Sequence, residues 1–550
     1  MMKQVETTRT RNQRRTRWRA ALLAGSLALV VGLLAACGAD EEPDAASDAD
    51  AETETAEADE AAPAEGAAGT VEVLTVGMPS DPESMDPHTS ATSGTVTAVN
   101  HVFDKLVQRN AADMTIEPDL AESWEQVDDI TYDFFLREGV TFHNGDDLTA
   151  SDVVFSFERM RGEGFESLGA YVDPLIESVE ATGDYEVRIT LVEPYAPFMK
   201  RVPTFYIVPQ AHIEEVGDAA FAENPVGSGP FKFEEWVQGE RLVLTANEDY
   251  WRGTPAAQRV EFRPIPEPST RVSGLLSGDL DVIQGVGLDS VDQVEQADGA
   301  RILAVDDNRF YFYALNSDEP PFDDARVRRA LTYAIDWDEV LALYAGYAQN
   351  VRFPSLPNDF GYDAYLAAVE EDLPEYDPDR ARELLADAGY EDGFETVVQT
   401  AASHWPRDVD LAQAVASQLE QVGIQAEVNA NEWGVYLSDV YRGGDGEGLV
   451  FFTMGNPLFD PDHLCNVHWA EGRAEYYNDE TTRELCDLGR VTTDEDERIA
   501  IYTELMEHLV AEAPYVMTHQ VQQVYGIRDG LEWQPRADNR VFMDEVTVTE

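Results

Sequence analysis

An α/β fold divided into more than one compact unit is predicted by three observations. A short alternating strand, Val71-Glu72-Val73-Leu74-Thr75-Val76-Gly77, is followed over 95–106 by Val96, Val99, Val102, Phe103 and Leu106 at helical spacing. The chain has 550 residues, beyond the roughly 100–200 that one core serves. Its 43% hydrophobic and 10% aromatic content can fill such cores, and 28 Pro with 38 Gly is too little for a collagen-like or low-complexity chain. The balance of 38 Lys+Arg against 107 Asp+Glu, a formal charge of −69, excludes nucleic acid as a partner. Such binding draws its affinity from cations that neutralise phosphates.

Ahead of the strand, residues 1–36 carry seven bases (Lys3, Arg9, Arg11, Arg14, Arg15, Arg17, Arg19) and one acid, Glu6, then an apolar run over 20–36. This reads as an export signal, because a membrane span needs about 20 apolar residues. The run ends in Leu34-Ala35-Ala36-Cys37, which resembles a bacterial lipobox, so Cys37 is expected to become the lipidated first residue. An uncleaved anchor helix is the alternative. Residues 38–70 hold no aromatic and no base. Their like charges repel and they have nothing to bury, so 37–70 is expected to be a disordered acidic tether. A lipid on Cys37 would hold the body outside the cytoplasm, at the cell membrane, without spanning it.

Within the body, 132–145 reads as two strands turning at Gly139 and Gly145. Thr149 and Asp152 sit three apart as a capping box for a helix through Val153, Val154, Phe157 and Met160. The glycine-rich bend over 224–231 feeds strands at 231–236 and 242–246. No Gly-Lys-Ser/Thr follows it, so it is a connector back into the first lobe and not a phosphate loop. Asp323 or Asp324 can cap a helix whose Val327, Ala330, Leu331, Ala334 and Ile335 form one stripe, with Arg326, Arg328 and Arg329 on the wet side.

These segments carry a resemblance. Leu120-Ala121-Glu122-Ser123-Trp124, the run Leu136-Arg137-Glu138-Gly139-Val140-Thr141-Phe142-His143-Asn144-Gly145, and Leu148-Thr149-Ala150-Ser151-Asp152-Val153-Val154-Phe155-Ser156 resemble bacterial extracellular solute-binding proteins of family 5. That is the oligopeptide-, dipeptide- and nickel-binding group serving ABC importers. Asn247-Glu248-Asp249-Tyr250-Trp251, Leu276-Ser277-Gly278-Asp279-Leu280-Asp281 and Pro320-Pro321-Phe322-Asp323-Asp324-Ala325-Arg326 follow in the family's order. The resemblance implies a type II periplasmic-binding-protein-like fold (cluster C), two lobes with a hinge plus an extra subdomain. Lobe I would take 71–112, 223–305 and 519–550, the subdomain 113–222, and lobe II 306–518. It implies a monomeric substrate-binding lipoprotein, without cofactor or enzymatic activity, that delivers an oligopeptide- or dipeptide-like solute to a permease. A sugar-like solute, a nickel or metal chelate, and a sensor reporting to a membrane receptor are the alternatives. No His-Glu-x-x-His, Gly-x-Ser-x-Gly or Walker lysine favours an enzyme.

By the same resemblance, Trp433 matches a cleft tryptophan, with Tyr436 in the same motif; a core role is the alternative. Asn316 matches a position on a lobe-crossing strand, and Thr92 and Ser93 match a ligand-facing loop. Trp405 starts a helix just after a strand, where α/β folds build sites. Met454 and Asn456 complete the candidate set in Met454-Gly455-Asn456-Pro457. Pro457 stands where peptide binders carry the aspartate that pairs with a peptide's amino terminus, so that anchor is missing. A buried ammonium needs a paired charge. Cys465 and Cys486 are expected to pair in an oxidising compartment. The competing idea, a metal held by Asp460, His463, Cys465 and His468, has ligand chemistry but no recognised zinc spacing.

Overall fold

The computed structural model describes residues 69–441, 446–465, 476–477 and 479–549. The expected signal, the Cys37 lipid site, His468 and nearly all of the tether lie outside them. Along the chain, β1 (Leu74–Met78) leads into α1 (Ser93–Val99). An insert follows with β2 (Ala121–Asp128), β3 (Thr131–Leu136), α2 (Ala150–Met160), β4 (Ile176–Gly183), β5 (Glu186–Leu191) and the short α3 (Phe198–Arg201). The chain returns through β6 (Phe231–Val237), β7 (Arg241–Ala246), β8 (Arg259–Pro264), α4 (Pro268–Ser277) and β9 (Val282–Gln284). Strand β10 (Ala300–Leu315) then crosses into a second lobe. That lobe contains α5 (Ala325–Ala334), β11 (Ala348–Asn350), β12 (Glu395–Ala401), α6 (Asp408–Gln421) and β13 (Gln425–Asn431). It continues with β14 (Leu449–Gly455), α7 (Glu480–Val491) and α8 (Glu495–Glu512), and β15 (Tyr515–Arg528) carries the chain back.

Eleven described strands form one mixed sheet in the order β13-β12-β14-β10-β15-β9-β1-β8-β7-β6, with β11 added on β15. Its two halves share only β10 and β15, which run antiparallel through both lobes. Between their apolar ends lies a polar run, Asp306-Asp307-Asn308-Arg309, where the register with β15 shifts. Neither lobe's core reaches this stretch, so side chains complete the pairing. Gln522 and Gln523 amides donate to the Asp306 and Asp307 carboxylates at 2.7 and 2.9 Å.

Separate cores explain the units. Leu74, Val76, Val260 and Phe262 anchor the first lobe, and Phe312, Leu331, Val415, Phe452 and Leu505 the second. The insert packs Phe134, Val153, Phe157 and Ile189 between α2 and a four-stranded antiparallel sheet, β2-β3-β5-β4. The cores divide the insert from lobe I a little differently from the expected 113–222. Leu106 and Val107 already belong to the insert's core, while Val208, Ile213 and Phe221 pack into lobe I. At the return, Tyr206 and Val208 face one core and Ile207 the other, the two-residue alternation of extended chain.

Local chemistry sets several boundaries. The Thr149 amide donates to the Asp152 carboxylate at 3.0 Å, closing the expected box, and Asp324, not Asp323, caps α5. The helix expected over 95–106 stops at Val99, because the carbonyls of His101 and Val102 accept from Phe231 and Gly229 of the glycine-rich bend. That approach needs glycine: a Cβ on Gly227 would lie 1.9 Å from the Val102 oxygen. The second strand expected within 132–145 is a loop with one isolated bridge, since Val140 and Phe142 turn into the insert's core. Arg328 is not on the wet side. It is buried and binds the Phe322 and Glu512 carbonyls and the Glu512 carboxylate.

Candidate functional site

The carboxyl ends of β12, β13 and β14 all reach the crossing, because β12 runs parallel to both neighbours and β14 places Gly455 opposite Arg309. Open α/β sheets build sites at such ends. After β12, the Asp408 carboxylate accepts from the amides of His404 and Trp405 at 2.8 and 3.0 Å. This folds the loop back over the start of α6. After β13, Glu432 accepts from the Gly434 amide at 2.8 Å and turns Trp433 toward that loop.

The two loops meet in an aromatic wall. The His404 ring stacks on Trp433 with centroids 3.4 Å apart and 5° between planes. Trp405 stands edge-on to Trp433 at 5.3 Å and to Phe451 at 5.3 Å. Burial and the charge of Arg309 push His404 down to about 4, so the ring is neutral at physiological pH. Trp405 is buried, whereas Trp433 is half-buried. Large flat rings offer contact area at little entropic cost.

The structure sorts the expected residues. Trp405, Trp433, Met454 and Asn456 gather at the crossing end of the second lobe. Tyr436 lies beneath them as core: it is fully buried, and its hydroxyl donates to the Phe451 carbonyl at 2.6 Å. Asn456 is fully buried, and its amide donates to Asp359 at 2.8 Å. Thr92 and Ser93 stand on lobe I, where Thr92 begins α1 and its hydroxyl reaches Thr95 at 3.1 Å. Asn316 is not brought to this place. It follows Leu315, which pairs with Leu449 at the opposite end of β14, and its side chain accepts from the Asp318 amide in a turn.

Around Pro457 the lobes touch. Arg109 donates to the Pro457 carbonyl at 3.0 Å, Lys200 to the Phe459 carbonyl at 2.7 Å, and the Tyr195 hydroxyl to Asp462 at 3.0 Å. On the other flank Arg407 meets Asp289 at 2.6 Å. Asp460 caps its short helix and is gripped by Arg498 at 2.6 and 2.8 Å. Burial opposes its charge, but Arg498 holds it below the usual carboxylate range. Cys465 and Cys486 are joined by a disulfide. With Asp460 paired and Cys465 oxidised, two ligands of the metal alternative are already engaged, and the described residues contain no cluster of three or more metal-ligating side chains.

Sequence reasoning missed the cations here. Lys105, Arg109, Arg536 and Arg540 converge beside Pro457. One signal was present: of the four lysines in the chain, Lys105 and Lys200 both lie at this junction.

Comparison with known proteins agrees with this architecture. The family model described as bacterial extracellular solute-binding proteins, family 5 Middle, matches residues 115–471. Heme-binding protein A of Haemophilus influenzae is 28% identical over 459 residues, covering 76% of this chain and 82% of that protein. The dipeptide-binding protein of Escherichia coli is 26% identical over 473 residues, covering 79% and 86%. The solved structure of DppA from Helicobacter pylori, in complex with the peptide STSA, superposes with a TM-score of 0.67 at 28% identity, over 88% of this chain and 99% of that one. HbpA2 from Haemophilus parasuis gives a TM-score of 0.78 at 23% identity, over 87% and 100%, a likeness of fold.

Proposed function

The chain belongs to the bacterial extracellular solute-binding proteins of family 5, and on that premise we propose that it captures a small peptide-like solute between its lobes and hands it, chemically unaltered, to the permease of an ABC importer. Members of this family are transport binding proteins, not enzymes. The observation that carries the reading is the aromatic wall at the strand ends of the second lobe, set at the two-strand crossing about which the lobes can hinge. Solute bridging both lobes favours the closed form by its differential affinity for that form. The peptide-like class comes from the relatives, among them proteins named for dipeptide and glutathione binding. No helix among the described residues is long and apolar enough to cross a membrane. In this reading, the lipid on Cys37 keeps the body near its permease.

Native mass spectrometry of the purified chain with its co-purified solute tests the capture directly. Trp433→Ala is expected to weaken calorimetric affinity for that solute by roughly 1–3 kcal/mol. Unchanged affinity would return Trp433 to the core. A particle whose scattering profile is the same with and without solute, and which retains no solute on purification, would end the reading.

A further inference from the structure

Beside Pro457 the junction encloses a cavity of about 40 Å³. Lys105, Arg109, Arg536 and Arg540 line it, against one lining carboxylate, Asp538. In a chain of net charge −69 this is a local reversal of sign. Lys105, Arg109 and Arg536 are buried, so the chain has withdrawn three like charges from water. Like charges so placed repel strongly unless an anion joins them.

The protein's own anions do not complete the site. Arg536 takes Asp538 at 3.3 Å and Glu545 at 3.1 Å. Lys105 donates to the Asn100 side-chain oxygen at 2.9 Å, Arg540 to the Tyr206 hydroxyl at 3.1 Å, and Arg109 to two backbone carbonyls. Among the described residues, none of these three has a carboxylate at ion-pair distance. The acids behind the cavity are engaged elsewhere: Asp104 accepts from the Tyr250 hydroxyl at 2.9 Å and Asp119 from Arg252 at 2.8 Å. Burial pushes Asp119 and Glu545 up to about 7 and Asp544 to about 6, whereas Arg536 and Arg540 overcome burial and hold the lining Asp538 below the usual carboxylate range. Burial lowers Lys105 to about 8, and Arg540 adds to that fall.

We propose that this cavity receives an oxyanionic group of the solute, a carboxylate or a phosphate, held by Lys105, Arg109 and Arg540. The assignment rests on the solute-capture reading and turns its polarity round. Where Pro457 has removed the acid for an amino terminus, the surrounding cations suit the anionic end instead. A short peptide would lie with its carboxylate at Pro457.

The test titrates the full exported chain with inorganic phosphate, with succinate and, at matched ionic strength, with chloride, reading thermal stability and calorimetric heat. Saturable binding of phosphate or succinate, but not chloride, is expected, and which of the two binds separates tetrahedral from planar chemistry. Arg540→Gln should weaken that binding about tenfold, the loss of one charge-assisted hydrogen bond. Arg301→Gln, at the remote pair with Glu532, should leave it unchanged. Oxyanions that act no better than chloride, or that bind Arg540→Gln as well as the parent, overturn the proposal. If Arg540→Gln does not fold, the solute co-purified with the parent chain decides: one that carries a carboxylate or a phosphate group is expected, and one with neither overturns it. In each overturning case, a retained solute that Trp433→Ala weakens leaves capture itself standing.

Discussion

Asp460 shows how much one carboxylate can do at this junction. It caps a short helix, pairs with Arg498 in a fully buried site, and lies 4.0 Å from Lys200 of the insert. Removing one partner of a buried pair strands the other's charge, so Asp460→Ala is expected to cost about 3–5 kcal/mol in denaturant unfolding. Asp359 behaves oppositely. Burial raises it from 3.8 to about 6, so the fold holds its proton more tightly than the unfolded chain does. Its stability contribution is therefore highest below pH 4 and is lost as the pH rises through 6. Asp359→Asn is expected to remove about 2–3 kcal/mol of that decline, measured by unfolding between pH 4 and 7. Neither the buried pair with Arg498 nor the raised Asp359 carboxyl was legible beforehand, because 107 acidic residues make any single one look like surface.

Elements were far more legible than their limits. The apolar stripe of α5 lies fully buried and its cap follows the side-chain rule. The helix after β1 came out short because a distant glycine-rich bend competes for its carbonyls, and no local propensity reports such a partner. The disulfide ties α7 to the segment after β14. Replacing Cys486 by Ser is expected to lower stability by about 3 kcal/mol on the chain-entropy estimate. Thermal unfolding with and without reductant checks this, and equal midpoints for parent and variant under oxidising conditions would refute it.

For the molecule as a whole, the capture reading makes the two crossing strands a hinge and the contacts around Pro457 a latch. Lys200 and Tyr195 of the insert reach the second lobe, so on the capture reading the insert would help to hold the lobes together. Replacing Lys200 by Met is expected to shift the population toward an open particle. The larger radius of gyration would appear in solution scattering, with apparent solute affinity reduced by the lost fraction of closed form. An unchanged radius and affinity would show that the latch carries no weight.

The sequence by itself determined the class of fold, the family and the capping box of Thr149 and Asp152, since each is written in local periodicity and contiguous motifs. Only the tertiary structure decided that Tyr436 is core, that Asn316 lies far from the crossing, and that Lys105 and Arg109 share one cavity with Arg536 and Arg540 from the far end of the sequence. Such proximity depends on how β10 and β15 bring the lobes together. Short-range spacing carries no information about which distant side chains that closure will place face to face.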